Sequence, residues 1–146
     1  MFRRIVHAND GSENSLSALR AAIDLARLAE ATLDVILVAE SFPNPGLIAE
    51  AVEHDAAERR RIQRRKTIAE RVAQRRGVKI AIHVFAGHPV ERIVQFAFEQ
   101  GADLLVIGAT EHVDLWERIF GRRSDRMTHQ ASCSVLIVRE GGHDAF

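Results

Sequence analysis

Two short polar segments, each following an apolar run, carry the side chains best suited to meeting a ligand. They are Asn9-Asp10-Gly11-Ser12, after Ile5 and Val6, and Gly108-Ala109-Thr110-Glu111, after Leu104 to Ile107. A carboxylate just beyond an apolar strand can accept a hydrogen bond from a ribose hydroxyl or an adenine amino group. The same carboxylate can instead hold the turn into the following helix. Both readings stand for Asp10. Glycine has a separate use in such places, because backbone N–H groups can approach an anion where no side chain intervenes.

Catalytic patterns are sparse. There is no nucleophile-elbow motif, no Gly-Lys-Ser phosphate loop, and no pair of carboxylates whose placement can be argued. The seven histidines are scattered, none paired at the short helical spacing of a zinc protease, and Cys133 is the single cysteine, so no metal site of the chain's own is expected. Cys133 also excludes an internal disulfide and reads as a small residue beside the last strand. Trp116 and Phe120 read as a hydrophobic anchor or a lid. The block from Glu58 to Lys66, continuing to Arg71, Arg75 and Arg76, concentrates positive charge. Its acidic neighbours Glu50, Glu53, Asp55, Glu58 and Glu70 permit ion pairs at helical spacing, so a solvated helix face is expected there.

The elements that must position these residues alternate in period. Short β-branched runs are separated by longer stretches of helical spacing, the pattern of βαβ units with a parallel sheet. Strands are expected at Arg4 to Ala8, Leu33 to Ala39, Lys79 to Phe85, Leu104 to Ile107 and Ser134 to Val138. Ser12 or Ser15 caps a first helix whose face carries Ala18, Ala22, Leu25, Ala26 and Ala29. A long helix with sparse apolar positions (Ile48, Val52, Ile62, Ala69, Val72) runs from about Leu47 to Arg76 and stops at Gly77. Pro89 opens another, bearing Val90, Ile93, Val94 and Ala97 and closing at Gly101, and Ser124 caps a short helix through Ala131. In an open parallel sheet, ligands bind beyond the carboxyl ends of the strands where the strand order reverses. The first strand and the one ending at Gly108 are expected to flank that point.

Size and charge fit one such unit. The chain has 146 residues, with 20 Lys+Arg against 20 Asp+Glu, so residues 1–146 are expected to form one domain. Zero net charge provides no overall field for nucleic acid or an anionic membrane, and neither is an expected partner. Aromatic residues make up 5% of the chain, which disfavours functions built on base stacking. The segment ahead of Asn9 is too short for a signal peptide or a membrane span, so a cytoplasmic protein is expected.

Taken together, three segments resemble the universal stress protein family. They are Val6 to Ser15, Ala102 to Gly108, and Ala131 to Val138, and the match runs in order over nearly the whole chain. The resemblance implies an α/β fold: an open, Rossmann-like parallel sheet of five strands in the order 3-2-1-4-5, with helices on both faces. It also implies a homodimer formed through the last strand, Val135 to Val138. In the nucleotide-binding branch of the family an aspartate after the first strand and a valine ending the second hold the adenosine, here Asp10 and Val38. The phosphates rest on a glycine motif that falls on Gly108, Glu111, Gly121 and Arg122.

This sequence departs from that motif. Glu111 replaces the middle glycine and Arg122 the hydroxyl residue, while Ser124 offers a hydroxyl two residues later, either to phosphate or as an ordinary helix cap. A side chain forced into a left-handed conformation costs about 1–2 kcal/mol. A carboxylate about 5 Å from phosphate adds about 3 kcal/mol of repulsion at an effective dielectric of 20. Arg122, turned inward, offsets about as much. The expectation is an adenine nucleotide site of reduced phosphate affinity, taking AMP or adenosine better than ATP, with Mg only where it accompanies the nucleotide. The alternative is a stress protein without nucleotide, acting on a protein partner through its dimer edge and basic helix. Slow nucleotide hydrolysis is a third possibility, with no catalytic residue to assign.

Overall fold

The computed structural model describes residues 1–39, 48–86, 89–109 and 133–139, with backbone alone for 48–55 and 89. Five strands form one parallel sheet: β1 (Arg4–Asn9), β2 (Thr32–Ala39), β3 (Ile80–Ala86), β4 (Leu104–Gly108) and β5 (Ser134–Val138). Their order is β3-β2-β1-β4-β5. The chain steps outward from β1 to β2 and β3, then crosses back to place β4 on the other side of β1. The order therefore reverses between β1 and β4, where Ile5 to Ala8 pair with Leu104 to Ile107. β3 begins one residue later than its β-branched run suggests, and β1 extends one residue further, to Asn9.

Covering both faces makes the central strands continuously apolar. Helices α1 (Glu13–Ala29) and α2 (Ile48–Arg75) cover one face, over Ile5, Leu33, Val35, Leu37, Leu104 and Val106. Helix α3 (Pro89–Glu99) covers the other, setting Val90, Ile93 and Ala97 against Val6, Ile36, Leu105 and Ile107. The buried stripe of α1 is Ala18, Leu19, Ala22, Ile23 and Ala26; burial of Leu19 or Ile23 contributes about 2 kcal/mol. Ala29 falls outside that stripe and is exposed, because the chain is already turning toward β2. The short helix expected from Ser124 to Ala131 lies outside the described residues.

The three described helices leave by the same joint. The amide five residues beyond a buried alanine bonds back to that alanine's carbonyl: Ala31 to Ala26 at 2.9 Å, Val78 to Ala73 at 2.9 Å, Ala102 to Ala97 at 2.8 Å. The residue at the bend is left-handed each time, at φ 70° for Gly77 and 64° for Gly101, but 53° for Glu30. A side chain in that region crowds its own carbonyl, at a cost of about 1 kcal/mol. Glu30→Gly is therefore expected to raise stability by about 1 kcal/mol and the melting temperature by about 3 °C, read by calorimetry. An unchanged or lower melting temperature would contradict the assignment.

Candidate functional site

The site begins where β1 stops. Alternation along β1 turns Ile5, His7 and Asn9 toward the α1 side of the sheet, and His7 is completely buried there. The Val106 carbonyl accepts at 2.9 Å from Nδ1 of His7, which therefore carries the proton. This leaves Nε2 as an acceptor for the Asn9 side-chain amide at 3.2 Å. The same amide donates to the Ser15 carbonyl at 3.3 Å, while Asn9 Oδ1 accepts from Gly11 N at 2.9 Å. Every polar group of these two buried side chains is thus committed, and the commitment fixes their orientation.

Asp10 follows, at the switch point. Its Oδ1 accepts from Ser12 N at 3.0 Å and from the Ser15 hydroxyl, and Ser12 caps α1 by accepting from Ser15 N at 3.2 Å. The turn-holding reading of Asp10 is thus borne out for one oxygen. The Ser12 hydroxyl adds a further hydrogen bond to the same carboxylate. Burial pushes the Asp10 carboxyl upward, but the hydroxyls of Ser15 and Ser12, the Ser12 amide and the charge of Arg65 outweigh it and hold the pKa below the usual range. The group is an anion at neutral pH.

Gly108 closes the other side. A Cβ there would lie 2.6 Å from the backbone carbon of Asn14 and 2.7 Å from Ser15 N, inside the first turn of α1. Its glycine is required by this close approach, and its φ lies outside the left-handed region. The Asn14 side chain bridges the contact by donating to the Ala109 carbonyl. Val38, the other residue expected to hold adenosine, is half-buried one residue before the end of β2. Gly121, Arg122, Ser124 and Glu111, together with Trp116 and Phe120, lie outside the described residues.

One participant went unrecognised in the sequence. Arg65, from the basic block of α2, leans across the ends of β1 and β2, donating to the Val38 carbonyl at 2.9 Å, to Asn9 Oδ1 at 2.9 Å, and to the Asn9 carbonyl. Much of that block is the solvated face expected of it, with Arg59, Arg60, Arg64, Arg71 and Arg75 exposed. Arg65 departs from this because it lies on the sheet-facing side of α2, between Ile62 and Ala69, which both pack into the core. The available signal was a charged residue at the place where the apolar stripe should continue. Among the described residues no three His, Cys, Asp or Glu converge as a metal site, and no helix is long and apolar enough to cross a membrane.

The sheet order, the switch point and the Asp10 turn describe a known scaffold, and the family model for universal stress proteins matches residues 1–139. The chain belongs to the universal stress protein family. A universal stress protein of Methanocaldococcus jannaschii is 32% identical over 142 residues, covering 96% of this chain and 84% of the relative. Among solved structures, a universal stress protein from Burkholderia pseudomallei superposes with a TM-score of 0.67 at 28% identity, covering 94% of this chain and 96% of its own. Another, solved in complex with cAMP, gives a TM-score of 0.66 at 25% identity, covering 96% and 99%.

The network has a pH signature. Burial, offset in part by the Val106 bond and the nearby Asp10 charge and reinforced by Arg65, lowers the pKa of His7 from 6.5 to about 4. Between those values the unfolded chain binds a proton that the folded one refuses. Stability is therefore full above pH 6.5 and is lost as pH falls toward 4, by about 3 kcal/mol. Asp10 acts in a separate window, since its lowered pKa costs stability only at more acidic pH. Urea unfolding at stepped pH checks this: His7→Gln should flatten the slope between pH 4 and 6.5. In the same assay Gly108→Ala should cost about 3 kcal/mol, because its methyl meets backbone that cannot step aside.

Proposed function

We propose that this universal stress protein is a regulatory binding module for an adenine nucleotide, held at the carboxyl ends of β1, β2 and β4. The observation that supports this reading is the ionised Asp10 carboxylate at the switch point between β1 and β4, held in place by Ser12 and Ser15. A relative of the same fold has been solved with cAMP. Asp10 accepts from a ribose hydroxyl, the end of β2 at Val38 meets the base, and Gly108 leaves the first turn of α1 close to the phosphate side. Glu111 and Arg122 stand where the family's motif holds phosphate, so AMP or adenosine is preferred over ATP, with Arg122 and Ser124 the remaining donors near Gly121.

The protein acts as a homodimer in this reading. β5 pairs with β4 on one side, and among the described residues no strand pairs with its other edge. Val135 to Val138 are only half-buried along it, an apolar edge that a second copy would cover. A second reading, favoured by Arg65 on the Val38 carbonyl, is a protein without nucleotide that docks a protein partner through the same edge and the basic helix.

Calorimetric titration separates the two. Micromolar AMP binding, tighter than ATP, is expected, and Asp10→Asn should weaken it about tenfold while keeping the turn, since asparagine retains the Oδ1 acceptor but lacks the charge. Tighter binding of ATP would overturn the preference, and absence of binding would favour the second reading. Light scattering should give a dimer mass; a monomer mass at every concentration would refute the β5 interface.

A further inference from the structure

Arg65 occupies acceptors at the ends of β1 and β2. In the nucleotide reading above, a base laid across those strand ends would turn its exocyclic amino group to the Val38 carbonyl, and that requires a carbonyl that is not already taken. The Val38 carbonyl receives Arg65 Nη1 at 2.9 Å, and Nη2 spans Asn9 Oδ1 at 2.9 Å and the Asn9 carbonyl. A charged donor holding three acceptors on two strands is a stronger competitor than a single neutral amino group. The side chain also fills the space over the β1 turn: a Cβ on Gly11 would lie 3.3 Å from Arg65 Cζ and 3.0 Å from Arg61 Nη2.

The anchoring is deep. Asn9 presents Oδ1 to Arg65 because its amide is held by His7 Nε2, and His7 is held in turn by Val106. The position of Arg65 is therefore set by the sheet core as well as by helix α2, which carries it.

We propose that Arg65 is a specificity-determining gate at the base end of the site, competing with the ligand's base for the Val38 carbonyl and leaving when a purine enters. This rests on the nucleotide reading above. A ligand without a base makes no demand on these acceptors, so the competition is selective: it lowers affinity for AMP and leaves ribose 5-phosphate nearly unaffected. The occupied state is the resting state, and anything that draws α2 away from the strand ends opens the site.

The test is the ratio of AMP to ribose 5-phosphate affinity in the full-length protein, measured by calorimetry for wild type, Arg65→Met and Arg65→Lys. Methionine keeps the apolar stem and lysine keeps the charge, so a general electrostatic change at the site cancels in the ratio. The expected result is about a tenfold rise in that ratio for Arg65→Met and a smaller rise for Arg65→Lys, whose single ammonium cannot span the three acceptors, with unfolding curves showing each folded. A second measurement needs no variant: the Arg65 side-chain N–H signals, protected from exchange in the free protein, should lose that protection when AMP is added. An unchanged ratio in two folded variants, with wild type binding AMP, overturns the gate while the nucleotide reading survives. A fall in AMP affinity alone would make Arg65 a ligand contact instead and also overturns it. No AMP binding by wild type or either variant overturns both.

Discussion

The first turn of α1 lies directly on the end of β4, with backbone against backbone at Gly108 and no side chain between them. This separation sets how far the α1 N-terminus stands from the sheet, and therefore where the turn joining β1 to α1 must run. Gly11 at φ 88° lets the chain make that turn within a few residues, and Asp10 is held at its mouth by the hydroxyls of the same helical turn. Move α1 outward by a methyl and the caps, the carboxylate and the Asn14 bridge to Ala109 all lose register together. Gly108 thus has a structural duty in this chain that is independent of any phosphate.

Below the turn, the sheet contains a line of polar groups where a strand buried on both faces would ordinarily be apolar. His7 is the cost of that arrangement: a buried imidazole kept neutral, with both nitrogens occupied. Its return is orientation. A neutral ring of fixed tautomer fixes Asn9, and Asn9 presents one oxygen to Gly11 and Arg65 at once. The line therefore connects β4, β1 and α2 through hydrogen bonds, with the Arg65 charge at its outer end.

Legibility of the sequence followed how local each constraint was. The strands and helices declared themselves through period, because Leu104 to Ile107 or Val135 to Val138 have little else to be. Asp10 was visible from its place after a strand, although only coordinates could show that Ser12 and Ser15 hold its carboxylate. Arg65 was hidden for the opposite reason. Its partners lie 27 and 56 residues away in the chain, and a charge among many charges carries no local mark. His7 was one histidine among seven until the sheet enclosed it. Gly108 was noticed for its spacing, whereas its physical reason is a helix packed across from it. The family resemblance supplied the strand order, which composition and period alone do not determine.

The repeated helix joints give the sheet two unlike rims. At the amino-terminal rim the alanine-anchored bends return each helix to the sheet within a few residues, and Asp103 ties β4 to β1 by accepting from the amides of Arg3 and Arg4 at 2.8 and 3.1 Å. At the opposite rim the connections differ in length, from the tight step after Asn9 to the stretch between Ala109 and Cys133. A scaffold with one rim locked by geometry and the other open to insertion can exchange its ligand preference over evolutionary time without renegotiating its core.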